Sequence, residues 1–103
     1  MSAIARFEVI PVHDGSLAED IAQAVDALED FDVSYELTPT DTVVEADAVE
    51  EVFAAVQAAH EAVAGDRVIT SVEVDEYRAS DQNAEERVES VASALGREPK
   101  RLA

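Results

Sequence analysis

The stretch Val33-Ser34-Tyr35-Glu36-Leu37-Thr38-Pro39-Thr40-Asp41-Thr42-Val43-Val44-Glu45-Ala46 decides the fold. Val33 to Thr38 alternates with period two, Pro39 to Asp41 carries turn chemistry, and Thr42 to Ala46 is a second β-rich run. Two such runs joined by a short turn read as a hairpin. What flanks the hairpin on each side then fixes the topology.

Upstream, Leu17, Ile21, Ala24, Val25 and Leu28 recur at helical spacing, with Asp20, Gln23, Asp26 and Asp30 on the opposite face. Ser16 and Glu19 have the Ser-x-x-Glu spacing of a capping box, which predicts a helix start there. Before it, residues 3 to 12 read as a strand closed by Pro11 and the Asp14-Gly15 turn. Alternation puts Phe7 and Val9 on one face and Ile4, Arg6, Glu8 and Ile10 on the other.

Downstream the order repeats. Asp47 and Glu50 again have capping spacing, and Val49, Val52, Phe53, Val56, His60 and Val63 form the stripe of a second helix that stops at Gly65. Arg67 to Tyr77 alternates as a fourth strand, with Val68, Thr70, Val72 and Val74 on one face and Ile69, Ser71, Glu73 and Asp75 on the other. A polar linker at Ala79 to Asn83 leads to an amphipathic helix carrying Val88, Val91, Ala92 and Leu95 and ending at Gly96.

The order β-α-β-β-α-β with an added C-terminal helix is the ferredoxin-like α+β sandwich. The expected organisation is a single domain over residues 1–96 with a loose tail at 97–103; a chain of 103 residues supports one core. Both main helices cover one sheet face and leave the other open. That open face carries Ile4, Arg6, Glu8, Ile10, Ser34, Glu36, Thr38, Ile69, Ser71 and Glu73, half apolar and half charged. Such a face is expected to pack against another subunit.

The chain has 24 Asp plus Glu against 7 Lys plus Arg, a net charge of −17, and Lys100 is its one lysine. Nucleic acid is excluded as a partner, because phosphate needs a basic footprint and only Arg97 and Arg101 lie close together. An acidic, lysine-poor, alanine-rich chain that is still 48% apolar is what a salt-rich cytoplasm favours, since salt screens the self-repulsion. A halophilic source is the expectation; an ordinary acidic domain is the alternative. There is no cysteine, no basic region followed by an apolar run, and no apolar stretch approaching membrane length. The expected setting is cytoplasmic, with no membrane segment and no disulfide.

Catalytic chemistry has little to stand on. There is no Gly-x-Ser-x-Gly, no phosphate-cradling glycine loop and no metal-spaced His and Cys set. His13 and Asp14 precede the first helix and read as turn residues, and His60 falls in register with the second helix stripe. Carboxylate pairs such as Glu50 and Glu51 read as solvated surface. The hairpin is different: it crowds Tyr35, Glu36, Thr38, Thr40 and Thr42 around one turn.

At this hairpin, Tyr35-Glu36-Leu37-Thr38-Pro39 followed by Thr42-Val43-Val44-Glu45 resembles the signature of the small YkoF-like thiamine-binding family. Phe7-Glu8-Val9-Ile10-Pro11, Ala58-Ala59-His60-Glu61-Ala62, Asp66-Arg67-Val68-Ile69-Thr70 and Arg87-Val88-Glu89-Ser90-Val91 extend the match, co-linear over about residues 3 to 92. The resemblance implies a ferredoxin-like fold, sheet-to-sheet dimers that often pair into tetramers, and non-catalytic binding of thiamine or its hydroxymethylpyrimidine part, with no cofactor. Asp41 departs from the family, which usually has glycine before the threonine of the turn.

Thiamine joins an aminopyrimidine, which wants a few fixed donors and acceptors, to a cationic thiazolium, which favours acidic or aromatic surroundings. The candidate ligand residues are Thr38, Thr42 and Ser16 for hydrogen bonds to the pyrimidine, Tyr35 for a ring contact and Glu36 for the cationic end. Glu36 has a rival duty as ion-pair partner of Arg6, and Ser16 as a helix cap. Other classes compatible with the sequence are a regulatory module binding another effector at a subunit interface, a dimeric α+β barrel enzyme using His13 or His60, and a purely structural homo-oligomer.

Overall fold

The structure, a computed structural model, describes residues 2–102. Met1 and Ala103, at the outer limits of the domain and tail drawn from the sequence, lie outside the described residues. The elements follow in the order β1 (Ala3–Pro11), α1 (Ala18–Asp26) continued by a 3-10 turn at Ala27–Asp30, β2 (Ser34–Leu37), β3 (Thr42–Ala46), α2 (Val49–Ala62), β4 (Val68–Glu76) and α3 (Ala84–Leu95). The strands form one antiparallel sheet in the order β2-β3-β1-β4. This is the ferredoxin-like arrangement expected from the sequence.

β1 is central because it alone carries strong apolar alternation over nine residues. Ala3, Ala5, Phe7, Val9 and Pro11 are all buried under the helices, and Arg6 and Glu8 point to the open face. β3 contributes Thr42, Val44 and Ala46 to the same buried layer. α2 closes the core with Val52, Ala55, Val56 and Ala59, and the small residues let the helix axis approach the sheet. Ala24 and Leu28 add the α1 side. His60 Nδ1 lies 2.5 Å from Thr70 Oγ1, tying α2 to β4.

Several local expectations are corrected. Ser16 and Glu19 form no reciprocal box: α1 begins after Leu17, and Ser16 Oγ accepts only the Ala18 N–H at 3.2 Å. Asp47 and Glu50 form none either, because Ala48 is the N-cap of α2. The reciprocal box sits instead at α3, where Asn83 accepts the Glu86 N–H and Glu86 accepts the Asn83 N–H. Phe53 is 52% exposed, so the α2 stripe runs through Ala55 and Ala59 rather than Phe53. Val72, on the helix-side face of edge strand β4, is 42% exposed.

α3 buries none of its residues, and Val88, Val91 and Leu95 remain in water. It is held near its start, where Glu45 accepts the Ala84 N–H at 2.7 Å and Arg87 pairs with Asp75. It ends at Gly96, whose φ of 80° is the left-handed cap conformation that glycine adopts without strain. The radius of gyration is 15.1 Å. A compact domain of this length has about 13 Å, and the projecting helix fits the excess.

Leu28 is 1% exposed and joins α1 to α2. Leu28→Ala is expected to cost about 2–5 kcal/mol in denaturant titration. Phe53→Ala, at an exposed position, should cost well under half of that.

Candidate functional site

The β1–β3 ladder runs from Ala3↔Ala46 to Phe7↔Thr42 and stops, because the hairpin turns back there. β1 continues to Pro11 along β4. The difference in length leaves a notch beside Val9, walled by Ile21, Ala24 and Val25 of α1 and roofed by Leu37 to Thr42 of the hairpin. The resulting cleft is about 90 Å³.

The turn is held rigidly. Thr38 N–H donates to the Asp41 carbonyl at 2.9 Å, and Thr38 Oγ1 accepts the Asp41 N–H at 3.0 Å and the Thr40 N–H at 3.2 Å. The same hydroxyl donates to Asp41 Oδ1 at 2.7 Å. Thr38 is therefore occupied in closing the turn, and Asp41, where a glycine was expected from the resemblance, acts as its clamp. Asp41 Oδ2 also lies 3.8 Å from the Arg6 guanidinium.

Thr42 is different. It is 4% exposed, lines the cleft, and makes no side-chain hydrogen bond among the described residues. Among the described residues no fully buried side-chain polar atom lacks a partner, so the Thr42 hydroxyl is open to the cleft, and it is the polar group most available to a ligand.

The other candidates go elsewhere. Tyr35 Oη donates to Glu29, which with partial burial raises the phenol pKa. Tyr35 and Glu36 line a separate groove of about 1150 Å³ between the sheet and α3. Ser16 lines neither space. The Arg6–Glu36 pair does not form, because β3 lies between β1 and β2; Arg6 instead meets Glu73 of β4 at 3.2 Å. The cleft walls Phe7, Val9, Ile21 and Val25 were not singled out from the sequence; their signal was the excess length of the first strand over the third.

Next to the cleft, on the open side, lies a depression of about 250 Å³ lined by Arg6, Glu8, Asp41, Ser71 and Glu73, with Phe7 and Val72. Phe7, Glu8 and Asp41 border both spaces. The first joins apolar walls to the hairpin threonines Thr38, Thr40 and Thr42, and the second is rich in carboxylates. Among the described residues no group of three or more His, Cys, Asp or Glu could hold a metal ion.

A family model described as thiamine-binding protein matches residues 5–92. A UPF0045 protein of Methanothermobacter thermautotrophicus is 40% identical over 96 residues, covering 88% of this chain and 97% of the relative. The chain belongs to the thiamine-binding protein family. Two solved structures share the fold at 26% identity and 88% coverage of this chain. One is a hypothetical protein of Methanocaldococcus jannascii, with a TM-score of 0.82 over 96% of that chain. The other is a candidate thiamine biosynthesis/salvage protein of Thermotoga maritima, with a TM-score of 0.73 over 99% of that chain. A thiamine-related role follows from the family.

The loop leading into α1 carries a titrating group. His13 Nδ1 lies 2.8 Å from the Asp14 carbonyl and Nε2 2.8 Å from Asp20 Oδ2. Both partners only accept, so the imidazolium satisfies both. The Asp14 carbonyl, then the Asp20 carboxylate, raise the His13 pKa above 6.5. A raised pKa stabilises the fold fully below the unfolded value and is lost as pH rises through the folded one. The melting midpoint of His13→Ala should fall furthest below the parent near pH 6, with the gap shrinking toward about pH 8.

Proposed function

We propose that this chain binds thiamine or its hydroxymethylpyrimidine part without catalysing a reaction on it. The observation that carries the reading is the Thr42 hydroxyl, without a protein partner and open to a largely apolar cleft beside a carboxylate-rich depression. A pyrimidine ring fits the cleft chemistry, and the cationic thiazolium fits Glu8, Asp41 and Glu73 against the single Arg6. The cleft alone is smaller than the roughly 300–1,000 Å³ of ordinary ligand pockets, which favours one ring inside and one ring at the mouth. Of the candidates drawn from the sequence, Thr42 then contacts the ligand, Thr38 shapes the roof, and Tyr35, Glu36 and Ser16 stand apart.

The working form is a dimer or tetramer through the open sheet face, in a saline cytoplasm. Ile69 is 47% exposed on that face, and Val88, at 62%, and Val91, at 66%, extend the apolar surface along α3. Arg6 paired with Glu73 offsets only part of the negative charge of that face in a chain of net charge −17, so the assembly depends on salt to screen the rest. Among the described residues no helix is long and apolar enough to cross a membrane. A regulatory role in the same assembly would use the groove beneath α3, where Tyr35 and Glu36 lie.

Thermal unfolding in molar salt tests the binding. A ligand at about 100 times its Kd stabilises the folded state by about 2.7 kcal/mol, so millimolar thiamine should raise the midpoint measurably. Choline should not. Thr42→Val, which keeps the shape and removes the hydroxyl, is expected to weaken binding about tenfold without lowering the midpoint of the free protein. No rise with thiamine, its phosphate or its pyrimidine would sink the binding reading. Sedimentation should show the assembly tightening as salt rises from about 0.1 to 1 M, because the Debye length falls from about 10 to 3 Å.

A further inference from the structure

The way the β1–β3 ladder ends leaves a peptide group exposed to the cleft. Val12 N–H donates to the Arg67 carbonyl at 2.9 Å, in the same register that pairs Ile10 with Ile69 and Glu8 with Ser71. In an antiparallel strand the N–H and C=O of one residue point to the same side, and successive residues alternate. The even-numbered residues of β1 therefore serve β4, and the odd-numbered ones face β3. Ala3, Ala5 and Phe7 find Ala46, Val44 and Thr42 there. Val9 finds no strand, because β3 begins at Thr42.

Val9 is only 4% exposed, and a peptide group at such a position is costly to leave without a partner. Its N–H and C=O look along the sheet plane into the cleft that Thr42 also lines. A free strand edge ordinarily invites another strand. Here Pro11, the next residue facing that side, has no N–H to donate, and the hairpin turn and α1 close the space to about 90 Å³. The occupant is thus a small planar group, not a peptide.

We infer that the Val9 peptide group is the specificity element of this site, reading an amino-azine edge: Val9 N–H donates to a ring nitrogen, and Val9 C=O accepts from the adjacent exocyclic amine. Thr42 Oγ1 supplies a further contact at the same ring. This rests on the thiamine reading and goes beyond it, because it states which edge of the pyrimidine is read and by what. The selectivity is built in backbone, so no side-chain motif records it. A ring whose amine is replaced by a carbonyl presents an acceptor to an acceptor and a ring N–H to an N–H. Both bonds are then lost, and both protein groups stay buried.

The test compares 4-amino-5-hydroxymethyl-2-methylpyrimidine, its 4-oxo analogue and the thiazole alcohol by calorimetry on the native protein in molar salt, with the Val9 amide resonance followed by NMR. The amino compound should bind and shift the Val9 amide, and the oxo compound should bind about 30-fold more weakly or worse. The thiazole alcohol should leave the Val9 amide unmoved. Val9→Pro removes the donor without touching the ladder to β4, and should shrink the preference for the amino over the oxo compound severalfold. Equal binding of amino and oxo compounds, or binding that leaves the Val9 amide unshifted, would overturn this inference and leave the thiamine reading intact. Failure of thiamine and all three fragments to bind would overturn both.

Discussion

The structure hangs on one strand being paired along both edges while outlasting one of its partners. β1 is matched to β4 from Ala3 to Pro11 but to β3 only as far as Phe7. Its register cannot slip by one residue, because that would drive Arg6 and Glu8 beneath the helices and put Phe7 and Val9 into water. With β1 fixed, α2 settles across it on Ala55 and Ala59, and the hairpin turn is carried to the level of Glu8. The cleft is then a consequence of strand lengths. No residue need be added to make it; the hairpin simply turns early.

Much of this was legible in the sequence, for physical reasons. Period-two and 3.6-residue alternation gave the order of elements, and the facing of Phe7 and Val9 against Arg6 and Glu8 followed from the same rule. The grouping of candidate ligands was not legible, because nearness in a strand is misleading: alternation turns the Tyr35 and Leu37 side chains toward the helices and Ser34 and Glu36 toward the open face. Tyr35 reaches Glu29 and borders the groove under α3 with Glu36, apart from the cleft of Thr38 and Thr42. Caps failed for a related reason. Ser16-Glu19 and Asp47-Glu50 have the right spacing, but each helix begins beyond the expected cap residue, while Asn83-Glu86 forms the box that the other two lack. The partner of Arg6 depended on strand order, which spacing alone does not give.

The few cations are spent on holding pieces in place. Arg6 spans Glu73 and Asp41, Arg87 reaches Asp75, and Arg78 pairs with Glu76. Exposed pairs of this kind contribute little to stability, roughly 0–1 kcal/mol each. Their effect is positional. Arg87 and the Glu45–Ala84 contact anchor the first turns of α3 to the open face, and beyond them the helix runs free with its apolar stripe in solvent. A helix of this kind gains its stability from packing rather than propensity, and its exposed valines are the surface that the proposed assembly would cover.

The same scarcity of cations limits what charge can do at the cleft. A chain with 24 carboxylates attracts every cation in solution, so a carboxylate-lined mouth cannot by itself distinguish one from another. In molar salt the screening length is about 3 Å, and Glu8, Asp41 and Glu73 act only on a charge in contact with them. Discrimination must come from groups with direction: a hydroxyl with no other partner, a peptide with no opposing strand, and apolar walls that exclude water around both. In the proposed site those groups converge on one ring, and the acidic rim merely tolerates whatever cation that ring carries with it. The chemistry that selects is therefore set by where a ladder ends, and the acidic composition sets only the conditions under which it works.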